Sequence, residues 1–322
     1  MLNERNGATP DLAAQRAELG TKVVGRDREL DLILAAVVAG RDLLLEGPPG
    51  TSKSTILRAI TGSWGIPLHF VEGNAELTPA KLVGHHNPAR VLKEDYSADN
   101  FVPGPLVAAM SEGGFLYVEE LNRAPDDTLN TLLTAMAERE VNVPRVGRIH
   151  ASPSFRLVAS MNPFDNVGTT RISTSVYDRL CRLAVNYQSA AEDRKIVALR
   201  TGSGPGEAAQ RLVADAVAIT RATREHEDVR HGSSVRGAID LVAVAAPLSA
   251  IRCGAASGDA EDDYRAVVLD AALLALSGRI NLDEAAGVSP EQVIRELWEN
   301  HFVLEPRRAA PGSITMAVPE PT

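Results

Sequence analysis

The amino-acid sequence predicts a three-layer α/β domain with a mainly parallel sheet, followed by a small all-helical domain. Apolar runs of strand length alternate with helical patterns from residue 43 to about 188, which is typical of such a sheet. From about residue 190 to 305 the chain is rich in alanine and helical in pattern, and no strand pattern stands out. We therefore predict an N-terminal arm over residues 1–20, the α/β domain over 21–189, the helical domain over 190–305 and a flexible tail over 306–322.

Composition and charge narrow the class of protein. With 322 residues, of which 44% are hydrophobic and 23% charged, the chain is long enough for two domains with sizeable cores. The formal net charge of −9 argues against a nucleic-acid partner. Cys181 and Cys253 lie far apart, which predicts neither a disulfide nor a zinc site, and Cys181 is expected in the core. No apolar stretch has the length of a signal peptide or a membrane span, so we expect a cytoplasmic protein.

The first predicted elements are a helix, a buried strand and a glycine-rich loop. Leu30 and Val37 lie on one helical face, and Gly40 ends that helix. Residues 43–45, all leucine, predict a short strand that is buried on both faces. The Gly-Pro-Pro-Gly sequence that follows turns the backbone sharply, and the apolar spacing after it predicts a helix that begins at Lys53.

This strand, loop and helix start predict a phosphate-binding loop, in which backbone N–H groups and the helix dipole converge on an anion. The alternative is a Gly/Pro loop that only connects a strand to a helix. We expect Lys53 to reach the β- and γ-phosphates of a bound nucleotide, and Ser54 to place its hydroxyl on Mg²⁺. The pattern G-x-x-x-x-G-K-[ST] has glycine where this chain has Ser52, so a positive φ there would be strained. The predicted nucleotide-binding residues are Gly47, Pro48, Pro49, Gly50, Thr51, Ser52, Lys53, Ser54 and Thr55.

The next segment predicts a strand over residues 67–71 and then an irregular insertion. Residues 72–105 contain many turn formers, and we interpret them as a helix that carries an inserted loop. His85 and His86 lie in this loop. No cysteine, histidine or carboxylate cluster stands beside them at ligand spacing, so loop histidines are favoured over metal ligands.

Two acids follow the next predicted strand. Residues 115–118 are apolar, and Glu119 and Glu120 come directly after them. In open α/β sheets, ligands bind at the carboxyl ends of the strands. We therefore expect Glu119 to hold Mg²⁺ or its waters, and Glu120 to orient and deprotonate the attacking water. The alternative is a solvated turn after a strand.

The remaining α/β elements alternate as before. Residues 126–140 predict a helix and residues 141–150 a β-hairpin, with Arg145 and Arg148 near its tip. Those arginines face either solvent or a polymer or protein partner. Residues 155–160 and 180–187 predict the last two strands, and Asn162 falls just beyond the first of them, at the ligand edge.

The helical domain contains one well-defined helix start. Ser289 is followed by Pro290 and, at the third helical position, by Gln292, which together predict an N-cap with a capping box. Val293 and Leu297 belong to the apolar face of that helix.

Six motifs resemble those of the MoxR group of AAA+ ATPases over about residues 21–305. They are GPPGTSKS in the loop, FVPGP at 101–105, EELNRAP at 119–125, MNP at 161–163, YDR at 177–179 and GSSVRG at 232–237. The resemblance implies an αβα P-loop AAA+ domain with a helical lid. It also implies a homo-oligomeric ring, usually hexameric, with ATP at each subunit interface.

The resemblance also implies roles for three residues outside the phosphate loop. Asn162 matches the residue that senses the γ-phosphate. Arg179 matches an arginine finger that reaches into the neighbouring subunit's site. Arg236 matches a lid arginine that contacts the phosphates within its own chain. The segments 84–100 and 141–150 match the group's helix-2 insert and pre-sensor hairpin, which face the pore or a partner.

Proteins of this group act as chaperone-like remodellers that mature metalloenzymes or complexes, with a von Willebrand factor A domain partner. No D-x-S-x-S metal-adhesion motif occurs in this chain, so such a partner would be a separate polypeptide. Two departures from the group matter. Glu119 replaces the usual Asp and Ser52 replaces Gly or Ala, and both favour slow hydrolysis. Arg182 is a second candidate for the arginine finger.

Three alternative functions share the same core motifs. A metal-chelatase motor subunit would have a chelatase subunit as its partner. A nucleic-acid translocase would use Arg145 and Arg148 as contacts. A weakly hydrolysing, nucleotide-gated scaffold is favoured by Glu119 and Ser52.

Overall fold

The computed structural model describes residues 12–94, 97–163, 172–252 and 259–304. The chain divides into two compact units, Met1–Glu192 and Asp193–Thr322. Residues 1–11 of the predicted arm and the tail over 306–322 lie outside the described residues. Within the described ranges, no helix is both long and apolar enough to cross a bilayer.

The first unit is organised around a parallel sheet of five strands in the order β2-β5-β8-β1-β9. The three central strands are buried almost throughout, as their continuous apolar sequences predict. All five predicted strands are therefore confirmed. The strands of this unit are β1 (Leu43–Glu46), β2 (Leu68–Glu72), β3 (Gly84–His86), β4 (Phe101–Pro103), β5 (Phe115–Glu119), β6 (Glu140–Val143), β7 (Gly147–His150), β8 (Arg156–Met161) and β9 (Cys181–Ala184).

Helices cover both faces of this sheet and complete three layers. One core contains Leu44, Leu116 and Leu132, and the core on the other face contains Leu45 and Ile56. The predicted αβα architecture is thus confirmed. The helices of this unit are α1 (Leu12–Lys22), α2 (Asp27–Val38), α3 (Lys53–Trp64), α4 (Pro79–Val83), α5 (Pro88–Glu94), α6 (Pro105–Glu112), α7 (Asp126–Glu138) and α8 (Thr174–Tyr177), with 3₁₀ turns at Ala98–Asn100 and Leu121–Arg123.

The described part of the predicted N-terminal arm is helical. Residues 12–20 belong to α1, whose Leu19 is fully buried in the core that also contains Leu30 of α2 and Ile60 of α3. Burial of one leucine contributes about 2 kcal/mol. This contribution explains why a segment of modest helix propensity is held against the domain.

Two antiparallel ribbons extend from the sheet. The β6–β7 pair confirms the predicted hairpin. The insertion differs from its prediction, because β3 pairs with β4 and places His85 and His86 on a strand rather than in a loop. The His86 Nε2 atom lies 3.1 Å from the Pro144 carbonyl oxygen, and its ring meets Phe101 edge-on. These contacts give His86 a packing role that its sequence neighbours do not reveal.

Cys181 is exposed, so the prediction of a core position is wrong. It begins β9, which is one of the two edge strands of the sheet, and only Leu183 of that strand is buried. The apolar run around Cys181 does not distinguish an edge strand from a central one.

The second unit is helical with one small ribbon. Its β-strands were not predicted, because a pair of strands of three and two residues is too short to give a period. The capping box at Ser289 is present as predicted. The remaining elements are α9 (Ala190–Thr201), α10 (Glu207–Ala222), β10 (Val229–His231), α11 (Val235–Arg252), α12 (Ala260–Leu276), β11 (Asn281–Leu282), α13 (Pro290–Glu299) and a π-helical turn at Asn300–Leu304, with a 3₁₀ turn at Ser277–Arg279.

A half-buried carboxylate joins three elements of this unit. Asp215 of α10 accepts hydrogen bonds from the Tyr264 hydroxyl at 2.7 Å and from the His301 ring at 3.0 Å. Burial would raise the pKa of Asp215, but the bonds from His301 and Tyr264 outweigh it and hold the pKa below its usual value. The contribution of Asp215 to stability is therefore present above its unfolded-state pKa of about 3.9 and is lost as the pH falls through the lower folded pKa.

We expect Asp215→Asn to lower the free energy of unfolding at pH 7 by about 1–2 kcal/mol. Below about pH 4, the free energy of unfolding of this variant should fall less steeply with decreasing pH than that of the native protein. Urea unfolding across that pH range measures both effects. Asp283→Asn is the matched control, because Asp283 is exposed. Parallel pH profiles for the native protein and Asp215→Asn would contradict this assignment.

Candidate functional site

The carboxyl ends of three neighbouring strands lie side by side. Glu46 at the end of β1 is level with Met161 at the end of β8, and Val118 of β5 is level with Ala159 of β8. Since adjacent strands lie about 4.8 Å apart, the segments that follow β1 and β5 are separated by about 10 Å. The segment that follows β8 lies between them.

The phosphate loop leaves β1 at Gly47 in a space that admits no side chain. The Gly47 N–H donates to the Met161 carbonyl at 3.1 Å. A Cβ atom on Gly47 would lie 2.0 Å from the Val185 carbonyl oxygen, so only glycine fits. These contacts hold the loop against Met161 at the end of β8 and against Val185, which follows β9.

Lys53 begins α3 and lies over the loop. Its Nζ atom donates to the carbonyl oxygens of Gly47 at 2.7 Å and Pro48 at 2.9 Å. Thr51 is buried and donates its hydroxyl to the same Pro48 carbonyl at 2.9 Å. These bonds hold the ammonium group against the loop, and a phosphate-binding lysine lies beside such a loop.

The other predicted loop residues surround this centre. Gly50 has φ +75°, which suits glycine, and Pro48 and Pro49 precede it in the turn. Ser54 is half-buried in the first turn of α3, and Thr55 beside it is exposed. The helix N-terminus thus directs its free N–H groups toward the loop.

Ser52 has the strained backbone that its sequence position predicts. Its φ is +67° and its ψ is +17°, in the left-handed region. Its side chain makes no capping hydrogen bond to the helix that it precedes. A non-glycine residue pays about 1–2 kcal/mol in this region, which explains the glycine of the general pattern.

We expect Ser52→Gly to raise the free energy of unfolding by about 1 kcal/mol, because the left-handed conformation costs glycine nothing. Chemical denaturation measures the change. Ser63→Gly, in the last turn of α3, is the control and is expected to destabilise by about 0.5–1 kcal/mol, because glycine weakens a helix and the Ser63 hydroxyl no longer donates to Glu18. Equal destabilisation by both changes would show that Ser52 is not strained.

Glu119 ends β5 and is oriented by a neighbour that sequence reasoning missed. The Tyr117 hydroxyl donates to Glu119 Oε1 at 3.3 Å and lies 2.9 Å from Ser160 Oγ on the adjacent strand. Burial, together with the nearby Glu119 carboxylate, raises the pKa of Tyr117, so it stays a protonated donor. The alternation of residues along β5 puts Tyr117 and Glu119 on one face and is the signal that could have revealed this pair.

Glu120 turns out of the strand in the left-handed region, with φ +54° and ψ +46°. The turn packs directly against Gly73, which follows the neighbouring strand β2. The Gly73 N–H donates to the Glu119 carbonyl at 2.7 Å, and a Cβ on Gly73 would lie 2.2 Å from the Glu120 carbonyl oxygen. The Glu120 carboxylate pairs with Arg123 at 3.1 Å. Strain of this kind persists only where the surroundings impose it, and it clusters at functional sites.

Asn162 comes directly after β8, between the phosphate loop and Glu120. Its carbonyl accepts a hydrogen bond from the buried Asn122 side chain at 3.4 Å, which joins the β5 and β8 segments. The structure therefore brings Lys53, Glu119, Glu120 and Asn162 to one edge of the sheet. This edge can bind a triphosphate and hold a carboxylate near its terminal phosphate.

Arg179 lies at the opposite edge. β9 runs parallel to β1 with Cys181 level with Leu43, so Arg179 precedes the sheet. It is about six residues, or about 20 Å, from the level of Gly47 along the strand direction. It is exposed, and its Nη1 atom donates to the Ser175 carbonyl at 2.9 Å. The structure thus does not bring Arg179 to the phosphate loop of its own chain.

Arg182 is held within its own chain. Its guanidinium pairs with Oε2 of Glu46, the residue immediately before Gly47, through Nε and Nη2 at 2.5 Å. Glu46 is only 3% exposed. Burial and the Glu46 carboxylate also raise the pKa of the Tyr177 hydroxyl, which lies in the same cluster. This pairing was not predicted, because its partners are 136 residues apart.

Arg236 belongs to the second unit. It is exposed in the first turn of α11, and its backbone N–H donates to the Ser234 hydroxyl at 3.3 Å. Among the described residues, no group of three or more histidine, cysteine or acidic side chains could hold a metal ion without further ligands. Ser54 and Glu119 are the oxygen donors at the sheet edge that suit Mg²⁺.

The sequence is similar to a family model and to several known proteins. The model of the AAA domain of the dynein-related subfamily matches residues 42–180. Chaperone MoxR1 of Mycobacterium tuberculosis is 27% identical over 262 residues, which cover 71% of this chain and 66% of that protein. Gas vesicle ATPase GvpN of Ancylobacter aquaticus is 27% identical over 75% of this chain and 72% of its own length. Protein MoxR of Paracoccus denitrificans is 31% identical over 56% of this chain, and the match spans only 52% of that protein.

Solved structures support the fold. Two variants of RuvB from Thermotoga maritima superpose with TM-scores of 0.50 and 0.51 at 18% sequence identity. They cover 79% and 81% of this chain and 71% and 73% of their own chains. At this identity the similarity concerns the fold alone, which is an αβα P-loop domain of the AAA+ type followed by a helical lid. The matched AAA domain, the phosphate-loop geometry and the relatives named MoxR together support a MoxR-family AAA+ ATPase.

Proposed function

We propose that this protein is a ring-forming motor that couples hydrolysis of Mg²⁺-bound ATP to chaperone-like remodelling or maturation of a partner protein or metalloenzyme complex. One observation carries the catalytic part of this proposal. Lys53, Glu119, Glu120 and Asn162 follow or adjoin the carboxyl ends of β1, β5 and β8, which are neighbours in the sheet. That arrangement suits in-line attack of water on a terminal phosphate.

Each of these side chains has a distinct role in the proposal. Lys53 binds the β- and γ-phosphates, Ser54 and Glu119 hold the metal, and Glu120 deprotonates the attacking water. Asn162 senses the γ-phosphate. The hydrogen bond from Tyr117 keeps the Glu119 carboxylate pointed along the sheet edge. Bound Mg²⁺ would neutralise charge on the triphosphate.

Arg179 supplies the transition-state cation to a neighbouring copy. Its place at the far edge of the sheet prevents it from serving its own chain, but it suits a head-to-tail assembly that closes into a ring, which we propose to be hexameric. The pairing of Arg182 with the buried Glu46 favours Arg179 over Arg182 for this role.

Arg236 couples the nucleotide to the lid. We assign it a contact with the phosphates of its own chain, made only while the γ-phosphate is present. Hydrolysis would then free the lid and move the segments 84–100 and 141–150, which face the pore or a client. A separate von Willebrand factor A domain protein is the proposed adaptor. The name of the relative MoxR1, a chaperone, supports a protein client.

The test is the concentration dependence of phosphate release from ATP in the presence of Mg²⁺. We expect the rate per chain to rise with protein concentration and reach a plateau, because Arg179 acts only in an assembly. Removal of Mg²⁺ with a chelator, or Lys53→Ala, should abolish release. A rate per chain that is independent of concentration would contradict the assembly.

The nucleotide-gated scaffold is a second candidate, favoured by the strained Ser52 and by the long side chain of Glu119. It predicts assembly on addition of ATP with no phosphate release at any protein concentration. The same experiment therefore separates the scaffold from the motor.

A further inference from the structure

A cleft opens at the amino edge of the sheet, opposite the phosphate loop. Its volume is about 440 Å³, within the range of small-molecule sites. It lies where β1 and β8 begin, between the end of α2 and the end of α7. Its lining residues are Gly40, Arg41, Asp42, Met136, Arg139, Pro153, Arg156, Asp178 and Arg179.

The charges in this cleft are unbalanced. Four arginines face two aspartates there, which leaves a formal charge of +2 in a chain whose net charge is −9. Arg41 is exposed at the mouth. A concentration of guanidinium groups in an acidic protein requires an explanation, because cations in partly desolvated surroundings repel one another.

Arg156 forms the floor of the cleft and is only 7% exposed. Its Nη1 atom donates to the carbonyls of Pro153 at 2.8 Å and Phe155 at 2.6 Å. Its Nε atom is buried and has no hydrogen-bond partner among the described residues. Burial, and secondarily the nearby Arg139, lower the pKa of this guanidinium. A buried cation with an unused donor is costly until it meets an anion.

Asp42 does not fully supply that anion. One of its carboxylate oxygens accepts the Leu157 N–H at 2.7 Å, and the other lies 3.8 Å from Arg139 Nη1, beyond hydrogen-bond distance. Arg139 itself donates to the Phe155 carbonyl at 2.7 Å and lies over the Phe155 ring. The cationic groups are thus positioned by the backbone, and their charge is only partly compensated.

Gly40 leaves the Arg156 guanidinium uncovered. A Cβ atom at Gly40 would lie 3.0 Å from Arg156 Nη2, and the φ of +74° also requires glycine there. The glycine that ends the α2 segment therefore keeps open the side from which an anion would approach.

We propose that this cleft binds a small molecule that carries phosphate or carboxylate groups. Arg156 provides the buried contact, and Arg41 and Arg139 bind from the sides. Guanidinium groups bind such anions through paired N–H donors, which suits this arrangement. The site is separate from the phosphate loop and goes beyond the proposed motor function.

The test is calorimetric titration of the full chain carrying Lys53→Ala, which removes anion binding by the phosphate loop. Pyrophosphate and citrate are the two probes, and the preferred probe identifies phosphate or carboxylate chemistry. We expect one saturable site per chain for at least one of them. Arg41→Gln and Arg139→Gln should each raise the Kd about tenfold, or about 1.4 kcal/mol.

Arg28→Gln is the matched control, because Arg28 is an exposed arginine near the start of α2, away from the cleft. It should bind both probes as the parent does. Arg41 is exposed, so its variant remains informative if Arg139→Gln is unstable. Absence of saturable binding up to about 10 mM of both probes, or equal Kd values for the Arg41 and Arg28 variants, would overturn the proposal.

Discussion

Glu120→Gln is expected to lower the rate of ATP hydrolysis by about 10²–10⁴ while ATP binding is retained. The amide keeps the size of the side chain but cannot accept a proton from water. Glutamine occupies the same left-handed turn, since that turn is enforced by Gly73 on the neighbouring strand end. Fold and assembly should therefore survive the change, and the loss should be confined to the chemical step.

Phosphate release and nucleotide titration of the same sample separate the two effects. Glu76→Gln is the control, because Glu76 is an exposed acid near the same sheet edge and should leave turnover unchanged. Full activity of Glu120→Gln would refute the assignment of the base. Because this variant binds ATP without hydrolysing it, proteins that co-purify with it in ATP identify the client.

Arg179→Ala is expected to reduce turnover by about 10³, at unchanged stability. The side chain is exposed and donates one hydrogen bond to the Ser175 carbonyl, so its removal leaves no buried group unpaired. The loss arises because the neighbouring copy's phosphates lose the cation that neutralises charge in the transition state. Steady-state turnover at saturating protein and ATP measures it.

Mixing experiments show whether Arg179 acts across an interface. Arg179→Ala and Lys53→Ala are each inactive alone, but an equal mixture should regain about one quarter of native activity, because one interface in four pairs an intact loop with an intact finger. Without recovery, Arg179 does not act between subunits. Arg182→Ala is the contrasting variant. It should lower the free energy of unfolding by about 2 kcal/mol, because it leaves the buried Glu46 carboxylate without its arginine partner.

The sequence by itself determined the elements whose signals are local. Continuous apolar runs predicted the central strands, and the strand, loop and helix around Lys53 predicted a phosphate-binding loop. Acids and an amide just after strands predicted residues at the carboxyl edge, because parallel strands all end on one side. The strain at Ser52 was predictable too, since the motif requires glycine there.

Other features were decided only by tertiary structure, because their partners are distant in the chain. The pairing of Arg182 with Glu46 depends on β9 lying beside β1, and the support of Glu119 by Tyr117 and Ser160 depends on β5 lying beside β8. The cleft at the amino edge likewise gathers arginines from four separate segments. The burial of a residue such as Cys181 depends on whether its strand is central or at an edge, which strand order alone decides. Local sequence fixes which strand ends carry polar groups, and packing fixes which of those groups meet.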